Sequence, residues 1–370
     1  MRRTTSHTLL ALGTVVAVTL IGSPAQASSE VTTVATGLDN PRGLGFGPNG
    51  ALYVAEAGRG GDGPCSPGPE GGEVCWGTSG AVTKIWNGSQ SRVLTGLPSI
   101  ADPDGSFALG PSDVSFKGTG GMYFTVGLGA DPAKRAQLPA AGQAANGWLL
   151  QSPDSNHGWR QVADIAGYEA AGNPDGGEPD SNPTSVAAVS GARIVADAGG
   201  NDLLRVAADG TITTLAVFPD RMVDAPPFLG LPPGTQIPMQ AVPTSVVRGP
   251  DGAYYVGQLT GFPFPVGAAR VYRVVPGEEP TIYVDGLTNV IDIGFASDGT
   301  LYVLEIAHNG LLSGDPTGAL IRVNADGSQD VVMSEGLTLP GGLALRGGAA
   351  YVSNCGTCPG DGTVLRIPLG

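Results

Sequence analysis

Gly45-Phe46-Gly47-Pro48-Asn49-Gly50-Ala51-Leu52-Tyr53-Val54-Ala55-Glu56 holds two short apolar runs around a Pro-Asn-Gly turn. Asn-Gly between alternating apolar residues is a strong hairpin signal, because the turn needs backbone angles that Asn and Gly adopt cheaply. Working outward, the same unit returns along the chain. Its opening strands are Pro41–Phe46, Pro111–Phe116, Pro183–Val186, Pro243–Val246, Val290–Ile293 and the run from Pro340 to Leu343. Turns such as Gly249-Pro250-Asp251-Gly252 and Ala296-Ser297-Asp298-Gly299 follow them. Second strands then read Leu52-Tyr53-Val54, Met122-Tyr123-Phe124, Arg193-Ile194-Val195, Tyr254-Tyr255-Val256, Leu301-Tyr302-Val303 and Ala350-Tyr351-Val352. Third strands carry a basic residue among apolar ones: Lys84, Arg205, Arg273, Arg322 and Arg366, with the second unit alone lacking it.

Repeats of about 40 to 70 residues built this way are the mark of propeller blades. Six openings predict an all-β, six-bladed β-propeller. The sixth unit ends at Gly370, after its third strand. The run Val31-Thr32-Thr33-Val34 resembles the end of the fourth unit, Thr281–Leu287. It is therefore expected to supply the missing fourth strand, pairing with the segment around Val364 to Ile367 and leaving no open sheet edge. No linker interrupts the repeat, so residues 28–370 read as a single domain.

Composition agrees. The 370 residues include 60 Gly and 31 Pro, with 14% charged and 41% hydrophobic. That suits short strands and many turns, with apolar content enough for a core. Residues 1–27 read as a secretory signal: Arg2 and Arg3, an apolar stretch Leu9–Ile21, and the small-residue site Ala25-Gln26-Ala27. The apolar stretch is short for a membrane span. Without Arg2 and Arg3, 17 of the 19 basic residues face 33 acidic ones. This balance argues against nucleic acid and anionic membranes as partners. It fits a secreted protein, read here as a monomer.

The cysteines form two close pairs, Cys65 with Cys75 and Cys355 with Cys358. After export, disulfides are the default, within each pair or across the two. Cys355-Gly356-Thr357-Cys358 has redox spacing but no βαβ context, which favours a structural staple.

Strand alternation puts the connection before strand one and the connection between strands two and three on one face. The insertions Gly58–Ser79, Gly127–Asn146, Asp220–Ala241, Leu259–Ala268 and Ala307–Gly318 all fall there. Loops on a rigid scaffold are where function concentrates. Strand two ends on that face at Glu56, Asp197, Gln258, Glu305 and Asn354, with Val126 in blade two. Strand one starts there with Arg42, Asp113, Ser185, Ser245 and Asp292. Oxygen-bearing side chains around a channel mouth suit a hard cation such as Ca2+, with Asp113 and Asp292 as ligands, or a polar ligand held by Arg42, Glu56, Asp197, Gln258 and Asn354. Solvated polar residues lining a channel are the plainer alternative.

Of the three histidines, His7 leaves with the signal and His157 falls on a tight turn of the opposite face. His308 follows Glu305 on the loop-rich face, where the two can do acid–base work. Gly261-Phe262-Pro263-Phe264-Pro265 offers an apolar wall or a packed rim. The acidic, Gly-rich stretch from Gly60 to Glu73 resembles a calcium loop but lacks EF-hand spacing. No G-x-S-x-G elbow, H-E-x-x-H or P-loop occurs.

The stretch Gly45–Gly58 resembles the NHL-type propeller repeat. Together with Thr36–Gly43, the Pro-Ser-Asp and Pro-Thr-Ser blade starts and the half-finished last blade, it resembles the ScyD/ScyE family of exported proteins. That resemblance implies a propeller and export and no established reaction. More distantly, the chain is similar to six-bladed lactonases and strictosidine-synthase-like proteins. The lactonases hold a divalent cation through Glu, Asn and Asp at strand-one starts, where this chain has Asp113 and Asp292 but otherwise Arg42, Ser185, Ser245 and Gly342. Two functions are therefore expected as alternatives: a non-catalytic binding propeller for a small molecule, glycan or protein, or a metal-assisted, lactonase-like hydrolase or isomerase at the channel mouth.

Overall fold

The inner strands Pro41–Phe46, Pro111–Phe116, Pro183–Val189, Pro243–Arg248, Val290–Phe295 and Gly342–Arg346 each begin an antiparallel sheet, and the sheets form six blades around a channel. This is a computed structural model, and it describes residues 30–68, 71–118, 121–153 and 158–369. Residues 1–27, read as a signal, and His157 lie outside the described residues.

The expected closure is present. Strand Thr32–Asp39 is the outer strand of blade six, with Thr32 opposite Arg366 and Thr33 opposite Leu365. Its Leu38 is 1% exposed and packs with Leu44, Leu52, Val54, Ile85 and Val364, so one side chain ties blade six to blade one. Rings repeat that role between other blades. Tyr53 meets Phe116 at 4.7 Å between centroids, Phe218 meets Tyr272 at 4.9 Å and Tyr255 meets Phe295 at 4.8 Å. Such pairs add about 0.5–1.5 kcal/mol each beyond their buried area.

The third-strand cations have a physical partner. Lys84, Arg273, Arg322 and Arg366 stand opposite Tyr53, Tyr255, Tyr302 and Tyr351 on the second strands. The Lys84 ammonium lies 5.9 Å from the Tyr53 ring centroid, while Arg273 and Arg322 pair with Asp251 and Asp330 at 2.7 Å each. Blade two, which lacks the third-strand cation, places Gln151 opposite Tyr123, and Arg160 of the fourth strand bonds to that glutamine.

Two features set the geometry of the loop-rich face. First, a register shift interrupts the pairing at the start of the inner strand in blades one to five, between Pro111 and Asp113 for example. A bulge turns the residue after it toward the channel. Second, the connection into strand one bonds back to the end of strand two through its backbone. Ala57 N–H donates to Asn40 C=O at 3.1 Å, and Ile306 N–H donates to Asn289 C=O at 3.0 Å. Asn40 and Asn289 hold φ of 50° and 43°, a left-handed conformation asparagine tolerates.

The insertion Gly58–Ser79 is partly strand. The third strand of blade one runs Glu73–Trp86, and a short strand Cys65–Pro67 pairs with it. The disulfide Cys65–Cys75 joins directly opposed residues, and Cys355–Cys358 closes its own loop, so both pairs are local. Two connections on the loop-rich face add to those expected from sequence: Asp102–Gly110, and 165–182 with its helix Ile165–Gly172. Among the described residues, no helix is long and apolar enough to cross a membrane.

Candidate functional site

The bulges bring Gly43, Asp113, Ser185, Ser245 and Asp292 to equivalent places, one before the residues paired at Leu44–Val54, Val114–Phe124 and their counterparts, and Gly342 holds that place in blade six without a bulge. Arg42 falls one residue outside this set. Its guanidinium donates to Ala108 C=O at 2.8 Å, and burial lowers it to about 10. A cavity of about 290 Å³ lies in the channel, and Asp113, Ser185, Arg248 and Asp292 are among its polar lining.

Inside it, the side chains form a belt from blade to blade. Asp113 accepts from its own neighbour Val114 N–H at 2.7 Å, and from Ser185 Oγ and Val186 N–H of blade three at 2.9 Å each. Ser185 Oγ accepts in turn from Val246 N–H of blade four at 3.2 Å. Asp292 accepts from Ile293 N–H at 2.8 Å and from Leu343 N–H of blade six at 2.7 Å. A Cβ on Gly43 would lie 2.3 Å from Asp113 Oδ1, so this slot in blade one has to be glycine for Asp113 to keep its place. Burial pushes Asp113 up to about 7 against its hydrogen bonds. Asp292 is held well above its ordinary value, first by burial and then by the negative charge of Asp113.

The strand-two ends hold the chain rather than opening to solvent. Glu56 Oε2 accepts from Asp39 N–H at 2.8 Å, and Arg92 bonds both Glu56 and Asp39. Asp197 takes Ser181 Oγ at 2.6 Å and Asn182 N–H at 2.5 Å. Glu305 takes Thr288 N–H at 2.7 Å, and Asn354 takes Thr338 N–H at 2.7 Å. Each clasps the connection leading into strand one of its blade. Gln258 is buried and receives Arg221 at 3.5 Å. In blade two, with Val126, the clasp is backbone alone: Gly127 N–H to Gly110 C=O at 2.9 Å.

Glu305 has a second role available. Its Oε2 bonds His308 Nδ1 closely, which fixes the ring and leaves Nε2 as the proton-exchanging nitrogen. Burial raises the Glu305 carboxyl, and the histidine contact opposes that.

The same face carries exposed apolar side chains on its insertions. Phe228, Leu231, Phe262, Val266 and Leu312 are 68%, 45%, 42%, 65% and 52% exposed. They come from three touching insertions of blades four and five. Phe228 and Phe262 stand 6.2 Å apart, Gly261 N–H donates to Gln240 C=O at 2.9 Å, and Gly310 packs on Val266. Sequence reading found only the Gly261–Pro265 part. The short helix Pro227–Leu229 and the hairpin Arg221–Asp224 with Gln236–Met239 bring the rest to it, and no periodic pattern announces that approach.

The architecture is that of a six-bladed β-propeller. No protein-family profile matches the chain, and no curated protein matches significantly. Solved structures agree on fold. A protein of unknown function from Bacteroides thetaiotaomicron superposes with TM-score 0.54 at 10% identity, over 91% of this chain and 75% of its own. Virginiamycin B lyase from Staphylococcus aureus gives 0.51 at 12% identity, over 92% and 99%. A candidate gluconolactonase gives 0.52 at 13% identity, over 93% and 95%. At these identities the likeness is one of fold.

Proposed function

We propose that this chain is an exported, non-catalytic binding propeller that holds a small molecule, glycan or protein by an apolar face against Phe228, Leu231, Phe262, Val266 and Leu312. One observation carries the reading: five large apolar side chains on three contiguous loops of one face are left in solvent. A contiguous apolar surface of this kind marks an interaction site. The two disulfides and the resemblance to the ScyD/ScyE family support export. A thermal-shift screen of small molecules and glycans against the wild type and a Phe228→Ser/Phe262→Ser variant tests it. Ligands that raise the wild-type melting temperature are expected to leave the variant unmoved. Ligands that shift both equally would place binding elsewhere.

The contact between Glu305 and His308 favours a second reading, a metal-assisted hydrolase or isomerase. Glu305 would orient His308, whose Nε2 would serve as base, while Asp113 and Asp292 would hold the cation. The belt bonds already taken by both aspartates weigh against the metal part. Hydrolysis of simple lactones and esters, lost in His308→Gln, would establish this reading; no turnover above the buffer rate would end it.

A further inference from the structure

The seam between blades three and four ends on the loop-rich face in a group of donors that the fold leaves partly unused. Val256 and Tyr272 stand opposite each other in strands two and three of blade four, and both pack in this seam, Tyr272 against Phe218 at 4.9 Å. Side chains alternate along a strand, so Gln258 and Arg270, each two residues nearer the loop-rich face, point into the same seam. The last pair of the ladder, Gly257 with Val271, places them opposite each other. The equivalent place opposite the end of strand two holds only Ala81 in blade one and Ala319 in blade five. Arg221, three residues after Phe218, reaches in from its insertion. Its Nη2 donates to Ala268 C=O, two residues before Arg270, and to Gln258 Oε1 at 3.5 Å.

Glu56, Asp197, Glu305 and Asn354 give their oxygens to backbone N–H groups of the connection into strand one. Blade four departs from that pattern, because Val242 N–H goes to Asn201 Oδ1 at 2.9 Å. Gln258 Oε1 faces an arginine instead. Its Nε2, on a side chain 1% exposed, has no hydrogen-bond partner, and Arg221 Nε is also buried without one. Among the described residues, neither Arg221 nor Arg270 forms an ion pair. Burial, then the charge of Arg270, lower the Arg221 guanidinium. A partly buried cation without a counter-ion is costly, and a bound anion removes that cost. Guanidinium forks and an amide N–H are the donors that a planar carboxylate accepts.

The same loops carry the apolar side chains. Arg221 pairs with Met239 across its hairpin, Gln240 C=O accepts Gly261 N–H at 2.9 Å, and Phe262 is next in the chain. Phe228 lies on the insertion that holds Arg221, and Val266 lies two residues before Ala268. We propose that Arg221, Arg270 and Gln258 hold the carboxylate of a ligand whose apolar body rests on Phe228, Phe262 and Val266. The ligand class is an apolar carboxylate. This deepens the binding reading above and rests on it.

Titration calorimetry of the full chain with 2-naphthoate, its neutral isostere 2-naphthamide and 2-naphthyl phosphate tests the inference. Naphthoate should bind the wild type at least about tenfold more tightly than naphthamide, and added NaCl should weaken naphthoate alone. Arg270→Met breaks no ion pair of the fold and should erase the preference, while Phe228→Ser/Phe262→Ser should weaken both probes together. If Arg270→Met folds poorly, the salt dependence of the wild type reads the same charge. Equal wild-type affinity for naphthoate and naphthamide, both weakened by Phe228→Ser/Phe262→Ser, would remove the carboxylate site and leave the apolar surface standing. A naphthoate preference that survives Arg270→Met would also overturn the inference, as would tighter binding of the phosphate than of the carboxylate. Binding of naphthoate that needs Arg270 but ignores both phenylalanines would overturn the placement of the apolar body, and with it the reading of that surface. No binding of any probe would end both.

Discussion

Replacing Asp113 by asparagine should flatten the pH dependence of unfolding. Burial raises the Asp113 carboxyl from 3.8 to about 7 in the folded chain. For an acid raised on folding, the folded state is penalised once the unfolded chain ionises, and the penalty is complete above the folded value. Stability contributed through this group therefore falls as pH rises from about 4 to about 7, reaching a cost of about 4 kcal/mol at 1.36 kcal/mol per unit. Between about pH 5 and about pH 8 the loss is about 2–3 kcal/mol. Asparagine cannot ionise, so that part of the slope vanishes. Asp292 loses a repelling neighbour and titrates lower, which acts in the same direction. The amide also presents an NH2 to donors: Oδ1 faces Val114 N–H, and Oδ2 faces Ser185 and Val186. Losing such acceptors costs about 1–3 kcal/mol, but equally at both pH values, and cancels in the comparison. Guanidinium unfolding of the wild type and Asp113→Asn at the two pH values gives the double difference. A variant whose stability drops between them as much as the wild type's, within about 0.5 kcal/mol, would refute the buried-acid argument.

Leu38→Ala should cost about 2–5 kcal/mol, since Leu38 fills the seam between the closing strand and blade one, and should expose the N-terminal strand to proteolysis; native-like cleavage resistance would contradict it. Arg92→Met leaves buried Glu56 without its cation and Asp39 with only the exposed Arg59 at 3.9 Å, and should cost about 3–5 kcal/mol by chemical unfolding. Gly43→Ala drives a methyl into Asp113 Oδ1 and should cost about 1–3 kcal/mol. Combined with Asp113→Asn its cost should be strongly non-additive, because both changes act on the same carboxylate.

The fold was legible because a propeller writes its period into turn chemistry. Asn-Gly and Asp-Gly turns, Tyr-bearing second strands and their opposing cations recur in most blades, often enough to count six. An unfinished sixth unit then left only Val31–Val34 to complete it, and Thr32 does stand opposite Arg366. The site was legible only as far as periodicity reaches. Counting put Glu56, Asp197, Glu305 and Asn354 at the ends of strand two. It could not show that the chain folds back to give each a backbone N–H, because that partner comes from an aperiodic connection. Arg42 was placed one slot early for a similar reason: a bulge adds a residue that no hydropathy pattern records. The connection 165–182 escaped notice because its helix is eight residues long, too short for an amphipathic period to stand out. Yet its acids were in view. Glu169, Asp175, Asp180, Asp197 and Asp202 fall within residues 169–202, which contain one cation, Arg193, with Arg205 just beyond. Arg193 lies over the ring of Tyr123 at 3.9 Å, and Arg205 stands in the third strand opposite Ile194. Neither forms an ion pair with these acids among the described residues, and Lys134 acts on Asp180 only through its field. That imbalance sets blade three against blade one, where Arg92 reaches both Glu56 and Asp39, and it is why burial and neighbouring acids raise the Glu169 and Asp202 carboxyls.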